Sequence, residues 1–258
     1  MQELHPVLFV GAGPGDPELI TLKGQRALAQ ADLILYTGSL IPADLLAHAR
    51  PEAEKVDTAS LDLETIVGRL TAAHQEGLRA VRLHTGDPSL YSAIQEQIVL
   101  LQQAQVPYRV IPGVTAGAAA AAALAQELTI PEVTQTVIYT RAAGRTPVPE
   151  AESLDKLARH RATLVIYLSV QLIDKVVEQL LPQYGPETPV AVVYRASWPD
   201  EEIIRGTLAT IAGQVQEAGI RRQALILVGP ALAAGETAGR SKLYDGSFSH
   251  GYREAKTP

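Results

Sequence analysis

Short runs rich in Val, Ile and Leu alternate along this chain with longer stretches whose apolar residues recur at helical spacing. Continuous apolar runs fit strands covered on both faces, and the wider spacing fits the helices that cover them. The pattern predicts strands at 7–10, 33–36, 80–84 and 108–111, with helices at 18–30, 63–75 and 90–103 between them. After an alanine-rich helix at 115–127, further strands are predicted at 136–140, 163–168, 190–194, 203–205 and 224–228. Strands 190–194 and 203–205 lie closer together than the about a dozen residues of a parallel crossover, so they form an antiparallel pair and make the second sheet mixed. The expected fold class is α/β in two α/β domains, 1–127 around a mostly parallel sheet and 128–258 around a mixed one. Pro131 interrupts the helical pattern at the joint, 128–133.

Composition narrows the class. The 258 residues are 47% hydrophobic and 19% charged, a balance that supports buried cores and excludes a disordered chain. With 22 basic against 28 acidic residues the formal charge is −6, so no overall positive field favours nucleic acid, and no nucleic-acid partner is expected. The longest apolar stretch, 116–125, falls short of the ~20 residues of a membrane span, and no cation precedes Lys23 where a secretory leader would carry one. A cytoplasmic protein without a membrane partner is expected. The absence of cysteine removes thiolate metal sites, disulfides and cysteine nucleophiles. His5, His48, His74, His84, His160 and His250 show no metal-ligand spacing, so no metal is assigned, and no GxSxG marks a serine nucleophile.

Candidate chemistry gathers at strand ends. Val10-Gly11-Ala12-Gly13-Pro14-Gly15-Asp16-Pro17 follows the first strand and opens a helix. It departs from a dinucleotide fingerprint, because Asp16 stands where a third small residue belongs and Pro14 removes an N–H that a pyrophosphate would use. The same residues suit a tight turn with Asp16 as N-cap and Pro17 at the first helical position. Gly86-Asp87-Pro88 repeats the device after another apolar strand, with Asp87 as the expected N-cap. Ligands of open α/β sheets bind outside the carboxyl ends of the strands, where glycine lets them approach the backbone. The segment 111–117 offers N–H groups and the Thr115 hydroxyl at that same edge. In the second set, Arg141 and Arg145 flank Gly144 in a proline-stiffened loop suited to presenting guanidinium groups to carboxylates, with a solvated loop as the competing reading. Tyr194-Arg195-Ala196-Ser197-Trp198 ends another strand and carries the one tryptophan, for which plain packing suffices.

Taken together, GAGPGDPELIT, GDPSLYS, PGVTA, YLS and VVYRASWPDE, in this order between Val7 and Gly229, resemble the tetrapyrrole methylases, S-adenosylmethionine enzymes of corrin and sirohaem synthesis. Within that family, 36–42, the loop TRAAGRTPVPE and the tail segments 242–245 and 250–253 resemble the branch that methylates C-11 of precorrin-4 or cobalt-precorrin-4. The resemblance implies homodimers of two α/β domains with S-adenosylmethionine folded between them. By position it implies donor contacts at Pro14, Gly86, Asp87, Tyr91, Thr115, Ala116, Leu168, Ala196 and Thr207. It also implies that Arg141, Arg145 and Arg195 hold a tetrapyrrole bearing many carboxylates on an otherwise acidic protein. Asp87 is the one acid among the donor contacts, able to accept from ribose hydroxyls or from the donor's amino group. A sulfonium brings its own leaving group, so the protein needs to align the reactants and exclude water, and no triad or metal is implied. Methylation at C-20, at C-17 or of uroporphyrinogen III, and a non-catalytic tetrapyrrole carrier, stay open as alternatives.

Overall fold

The computed structural model describes residues 4–233 and 241–255. Proximity of Cα atoms divides the chain into two compact units, 1–119 with 195–201, and 120–194 with 202–258. The first unit carries β1 (Val7–Gly11), α1 (Leu22–Gln30), β2 (Leu33–Tyr36), β3 (Glu54–Asp57), α2 (Leu63–Gln75), β4 (Ala80–His84), α3 (Ile94–Gln103) and β5 (Tyr108–Ile111). Its sheet runs β3-β2-β4-β1-β5, and every pairing is parallel.

Successive side chains of a strand point to opposite faces, so each central strand needs apolar residues at every position. Val10, Ile34, Val81 and Leu83 pack with Ala27 and Leu28 of α1 on one face. Val7, Phe9, Leu33 and Leu35 pack with Ile66, Val67 and Leu70 of α2 and Ile98 and Leu101 of α3 on the other. The chain leaves β1 over one face, through α1, to reach β2 beyond β4, and leaves β4 over the other face, through α3, to reach β5 beyond β1. The carboxyl ends of β1 and β4 are therefore a topological switch point, where open α/β sheets bind ligands.

One polar strut crosses this apolar packing. Arg82, only 6% exposed on β4, donates from Nε to Gln97 Oε1 at 3.3 Å and from Nη1 to Leu35 O at 3.2 Å. Gln97 in turn donates to Ala93 O at 3.2 Å. Burial pulls the Arg82 pKa down to about 10, so it stays charged at neutral pH and ties β4 to the entry of α3.

The second unit begins halfway along α4 (Ala116–Ala123) and continues with β6 (Val137–Arg141), α5 (Leu154–Leu157), β7 (Thr163–Tyr167), α6 (Ile173–Tyr184), β8 (Pro189–Tyr194), β9 (Glu202–Thr207), α7 (Ile211–Glu217) and β10 (Ala224–Val228). The strand order is β6-β7-β10-β8-β9. Only β6 and β7 pair in parallel, and β8 pairs antiparallel with β9, so the sheet is mixed as expected. Ile166, Val192 and Ile226 pack there with Ile173, Val176 and Leu180 of α6 and with Ile211 and Val215 of α7. Among the described residues, no helix is long and apolar enough to cross a membrane.

Three boundaries differ from expectation, each for a local reason. The helix expected at 18–30 is divided: a 3-10 turn, Pro17–Leu19, is followed by α1, whose Thr21 cap accepts from Gly24 N at 3.1 Å. The helix expected from 90 starts at Ile94, because Tyr91 (φ 55°) and Ala93 (φ 50°) are left-handed. The alanine helix stops at Ala123, before Ala125 at φ 51°.

Candidate active site

At the switch point three glycines let three backbones touch. Gly13 and Gly86 form an isolated bridge, with Gly86 N donating to Gly13 O at 2.7 Å and Gly13 N donating to Gly86 O at 3.2 Å. A Cβ on Gly11 would stand 2.6 Å from Gly113 Cα and 2.7 Å from the Gly86 carbonyl oxygen, and one on Gly113 would overlap that oxygen outright. Only hydrogen fits at these two positions. Gly86 itself is left-handed, at φ 62°, and a Cβ there would meet Thr115 Cα and Ala116 N only at 3.7 Å. Bare backbone at the end of β4 thus faces the start of α4.

Asp87 joins the second loop to the third. Its Oδ2 accepts from Gly113 N at 2.8 Å, while Oδ1 accepts from Ser89 N at 2.8 Å and from the Ser89 hydroxyl. Burial works to raise this carboxyl's pKa, but the Ser89 hydroxyl and the Gly113 and Ser89 N–H groups outweigh it and hold the pKa below the ordinary value. The N-cap expected of Asp87 is not formed, since the left-handed turn at 91–93 delays α3 beyond its reach. Asp16 does cap as expected, accepting from Glu18 N at 2.8 Å with Pro17 at the first position.

The segment Arg195–Glu201 belongs to this first unit. Trp198 Nε1 donates to Pro14 O at 2.9 Å, and Ser197 Oγ accepts from Asp16 N at 3.0 Å. The indole covers Gly15 so closely that a Cβ there would overlap the ring. Arg195 stacks over the same indole at 4.1 Å and pairs with Asp200 at 2.5 Å. Arg195 (φ 45°) and Ser197 (φ 69°) both hold left-handed backbone, a conformation that costs about 1 to 3 kcal/mol each and persists where surrounding contacts impose it.

The residues singled out in the sequence thus fall into two groups. Pro14, Gly86, Asp87, Tyr91, Thr115, Ala116, Arg195 and Ala196 belong to the first unit, and Arg141, Arg145, Leu168 and Thr207 to the second. Pro14, Gly86, Thr115, Ala116 and Ala196 lie on segments joined by the contacts above. Tyr91 and Leu168 are exposed, each with left-handed backbone. Thr207 ends β9, where its N–H donates to Thr210 Oγ1.

Arg141 and Arg145 have different surroundings. Arg141 donates to Thr146 O at 3.1 Å and Pro147 O at 2.6 Å, closing its own loop. Arg145 is exposed and makes no hydrogen bond or ion pair among the described residues. The loop is anchored by Lys175 Nζ donating to Ala143 O at 2.9 Å and by buried Ser169, which accepts from Ala142 N at 2.8 Å and donates to Tyr167 O at 2.6 Å. Ser169 stood in the YLS motif and Ser197 beside the tryptophan, but nothing in a linear sequence pairs either with its distant partner. A cavity of about 470 Å³ lined by Thr134, Gln135, His160 and Arg161 touches none of the residues named for ligands.

Glycine-lined strand ends at a switch point place this chain in the class of open α/β proteins whose ligand sites lie at the carboxyl ends of the strands. Residues 6–212 match the family model of the Tetrapyrrole (Corrin/Porphyrin) Methylases, and the chain belongs to that family. It is 56% identical over 247 residues to the precorrin-4 C(11)-methyltransferase of Pseudomonas aeruginosa, covering 96% of this chain and 98% of that one. The solved structure of the cobalt precorrin-4 methyltransferase CbiF is similar, with a TM-score of 0.86 and 50% identity over 88% of this chain and 95% of that one. So is the uroporphyrin-III C-methyltransferase of Thermus thermophilus complexed with S-adenosylhomocysteine, with a TM-score of 0.73 and 30% identity over 89% and 99% of the two chains.

Proposed function

We propose that this chain transfers a methyl group from S-adenosylmethionine to C-11 of precorrin-4 or cobalt-precorrin-4 in corrin synthesis. Half or more identity to C-11 methylases over nearly the whole length supports the reading. The observation that carries the donor site is the bare backbone of Gly86, φ 62°, facing the N–H of Ala116 beyond the Gly11–Gly113 contact.

When bound, the donor supplies a methyl group on a sulfonium that departs as a neutral thioether. The protein's part is to hold and align. Gly86, Thr115 and Ala116 present backbone to the donor, with Pro14, Tyr91, Leu168, Ala196 and Thr207 as further contacts. Asp87, kept ionised by Ser89 and Gly113, retains accepting capacity for a hydroxyl or ammonium group. Arg145, exposed and unpaired among the described residues, is the freest of the three arginines for a substrate carboxylate. Arg141 shapes the loop that carries it, and Arg195 contributes from beside Trp198. A methyl transfer of this kind needs orientation more than acid–base chemistry. A functional division at 1–127 and 128–258, a homodimer and a cytoplasmic location complete the proposal.

Incubation with labelled S-adenosylmethionine and each macrocycle tests it. Label in the tetrapyrrole is expected. Binding of the tetrapyrrole without transfer would favour a carrier, and transfer only to uroporphyrinogen III would assign another branch of the family.

A further inference from the structure

We infer that Trp198 is a positioning residue for the methyl donor, clamping the first glycine loop so that Pro14 and Ala196 keep one fixed arrangement at the donor site. This rests on the donor site proposed above. Three contacts make the clamp. The indole N–H donates to Pro14 O at 2.9 Å, the neighbouring Ser197 hydroxyl accepts from Asp16 N at 3.0 Å, and the ring occupies the space a side chain at Gly15 would need. Each residue of the Pro14-Gly15-Asp16 turn is therefore held by one residue pair of the 195–201 segment.

The segment is itself braced from behind. Ser197 N donates to Glu201 Oε2 at 2.7 Å, and Arg195 lies over the indole while paired with Asp200. Left-handed backbone at Arg195 and Ser197 flanks Ala196, which is only 6% exposed, so the chain turns sharply on either side of it. Packing alone requires neither an N–H aimed at a carbonyl nor a glycine under the ring. Both follow if the turn at Pro14 must keep one shape while a ligand rests on it. Pro14 and Ala196 are both buried, Pro14 lacks an N–H and its carbonyl is occupied by Trp198, so what the clamp fixes is the shape of the wall behind the donor site. The clamp acts on donor binding rather than on the macrocycle.

The one tryptophan makes the test direct. In the wild-type chain, titration with S-adenosylhomocysteine should shift or quench tryptophan emission with the same midpoint that calorimetry gives. Trp198→Phe keeps most of the ring but loses the N–H. It should raise the KM for S-adenosylmethionine about three- to tenfold, leaving kcat at saturating donor and the KM for the tetrapyrrole within about twofold.

Gly15→Ala and Trp198→Ala complete a double-mutant cycle. The added methyl collides with the indole, so Gly15→Ala should weaken S-adenosylhomocysteine binding strongly beside Trp198 and little once the ring is gone. Additive losses, or an unchanged donor KM in folded Trp198→Phe, overturn the clamp while leaving the donor site standing. A folded wild-type chain that does not bind S-adenosylhomocysteine overturns the donor site and the clamp with it.

Discussion

At the scale of single residues, the carboxylate of Asp87 and the guanidinium of Arg145 make opposite predictions. Asp87 is the acceptor for Gly113 N–H at 2.8 Å, so Asp87→Ala leaves that donor unpaired and should cost about 1 to 3 kcal/mol of stability. It should also weaken S-adenosylhomocysteine binding about tenfold or more, because a hydrogen bond to a charged group is worth about 1.5 to 3 kcal/mol. Calorimetry and urea unfolding on one preparation separate the two effects; lost stability with unchanged affinity would make Asp87 purely structural. Arg145 holds nothing in the described structure. Replacing it with Ala should therefore leave the unfolding midpoint alone and raise the tetrapyrrole KM about tenfold, with donor binding unchanged. Lys should restore part of the loss, because an ammonium lacks the two-pronged contact to a carboxylate. Normal turnover by Arg145→Ala at low salt would make the loop a solvated turn.

At the scale of elements, glycines separate by what surrounds them. A methyl on Gly113 would overlap the Gly86 carbonyl and stand 2.8 Å from Gly11 Cα, both backbone atoms that cannot swing away. Gly113→Ala should lose about 3 kcal/mol or more, or fail to accumulate folded protein. Gly68, inside α2 with nothing within 4 Å, should gain about 0.5 to 1 kcal/mol on the same change. Thermal unfolding of the pair checks both signs. The buried strands were readable because burial on two faces leaves a mostly apolar run: Leu33–Tyr36, Ala80–His84 and Ala224–Val228 lie where the pattern put them. Glu54–Asp57 was not, since an edge strand pairing only with β2 can be charged and carries no such run. The strand-end motifs were equally legible as glycines and an acid. The partner of each was not, because Asp87 with Gly113 and Trp198 with Pro14 are joined by tertiary folding, across 26 and 184 residues.

At the scale of the whole molecule, acid should lower the stability of this protein over two successive pH ranges. His84, 7% exposed at the end of β4, has its pKa pushed down to about 3, first by burial and then by the charge of Arg82. The unfolded chain takes up that proton near the ordinary value of 6.5, so the stability His84 contributes is complete above that pH and is lost as pH falls toward 3. One proton limits the slope to about 1.4 kcal/mol per pH unit. Below about 3.8 the carboxylates of Asp32, Asp57, Asp62 and Asp87, all held below their ordinary values, add their own losses in the same direction. His84→Phe should flatten the loss over the first range and leave the second; equal slopes in both proteins between pH 6.5 and 4 would remove His84 from the account.

The whole reading turns on where a methyl group lands. Isotopically labelled S-adenosylmethionine, the chain and precorrin-4 or its cobalt complex should give one product, whose nuclear magnetic resonance spectrum carries a single enriched methyl bonded to ring carbon C-11. Enrichment at another ring carbon, or no transfer by a chain that binds both ligands, would contradict it.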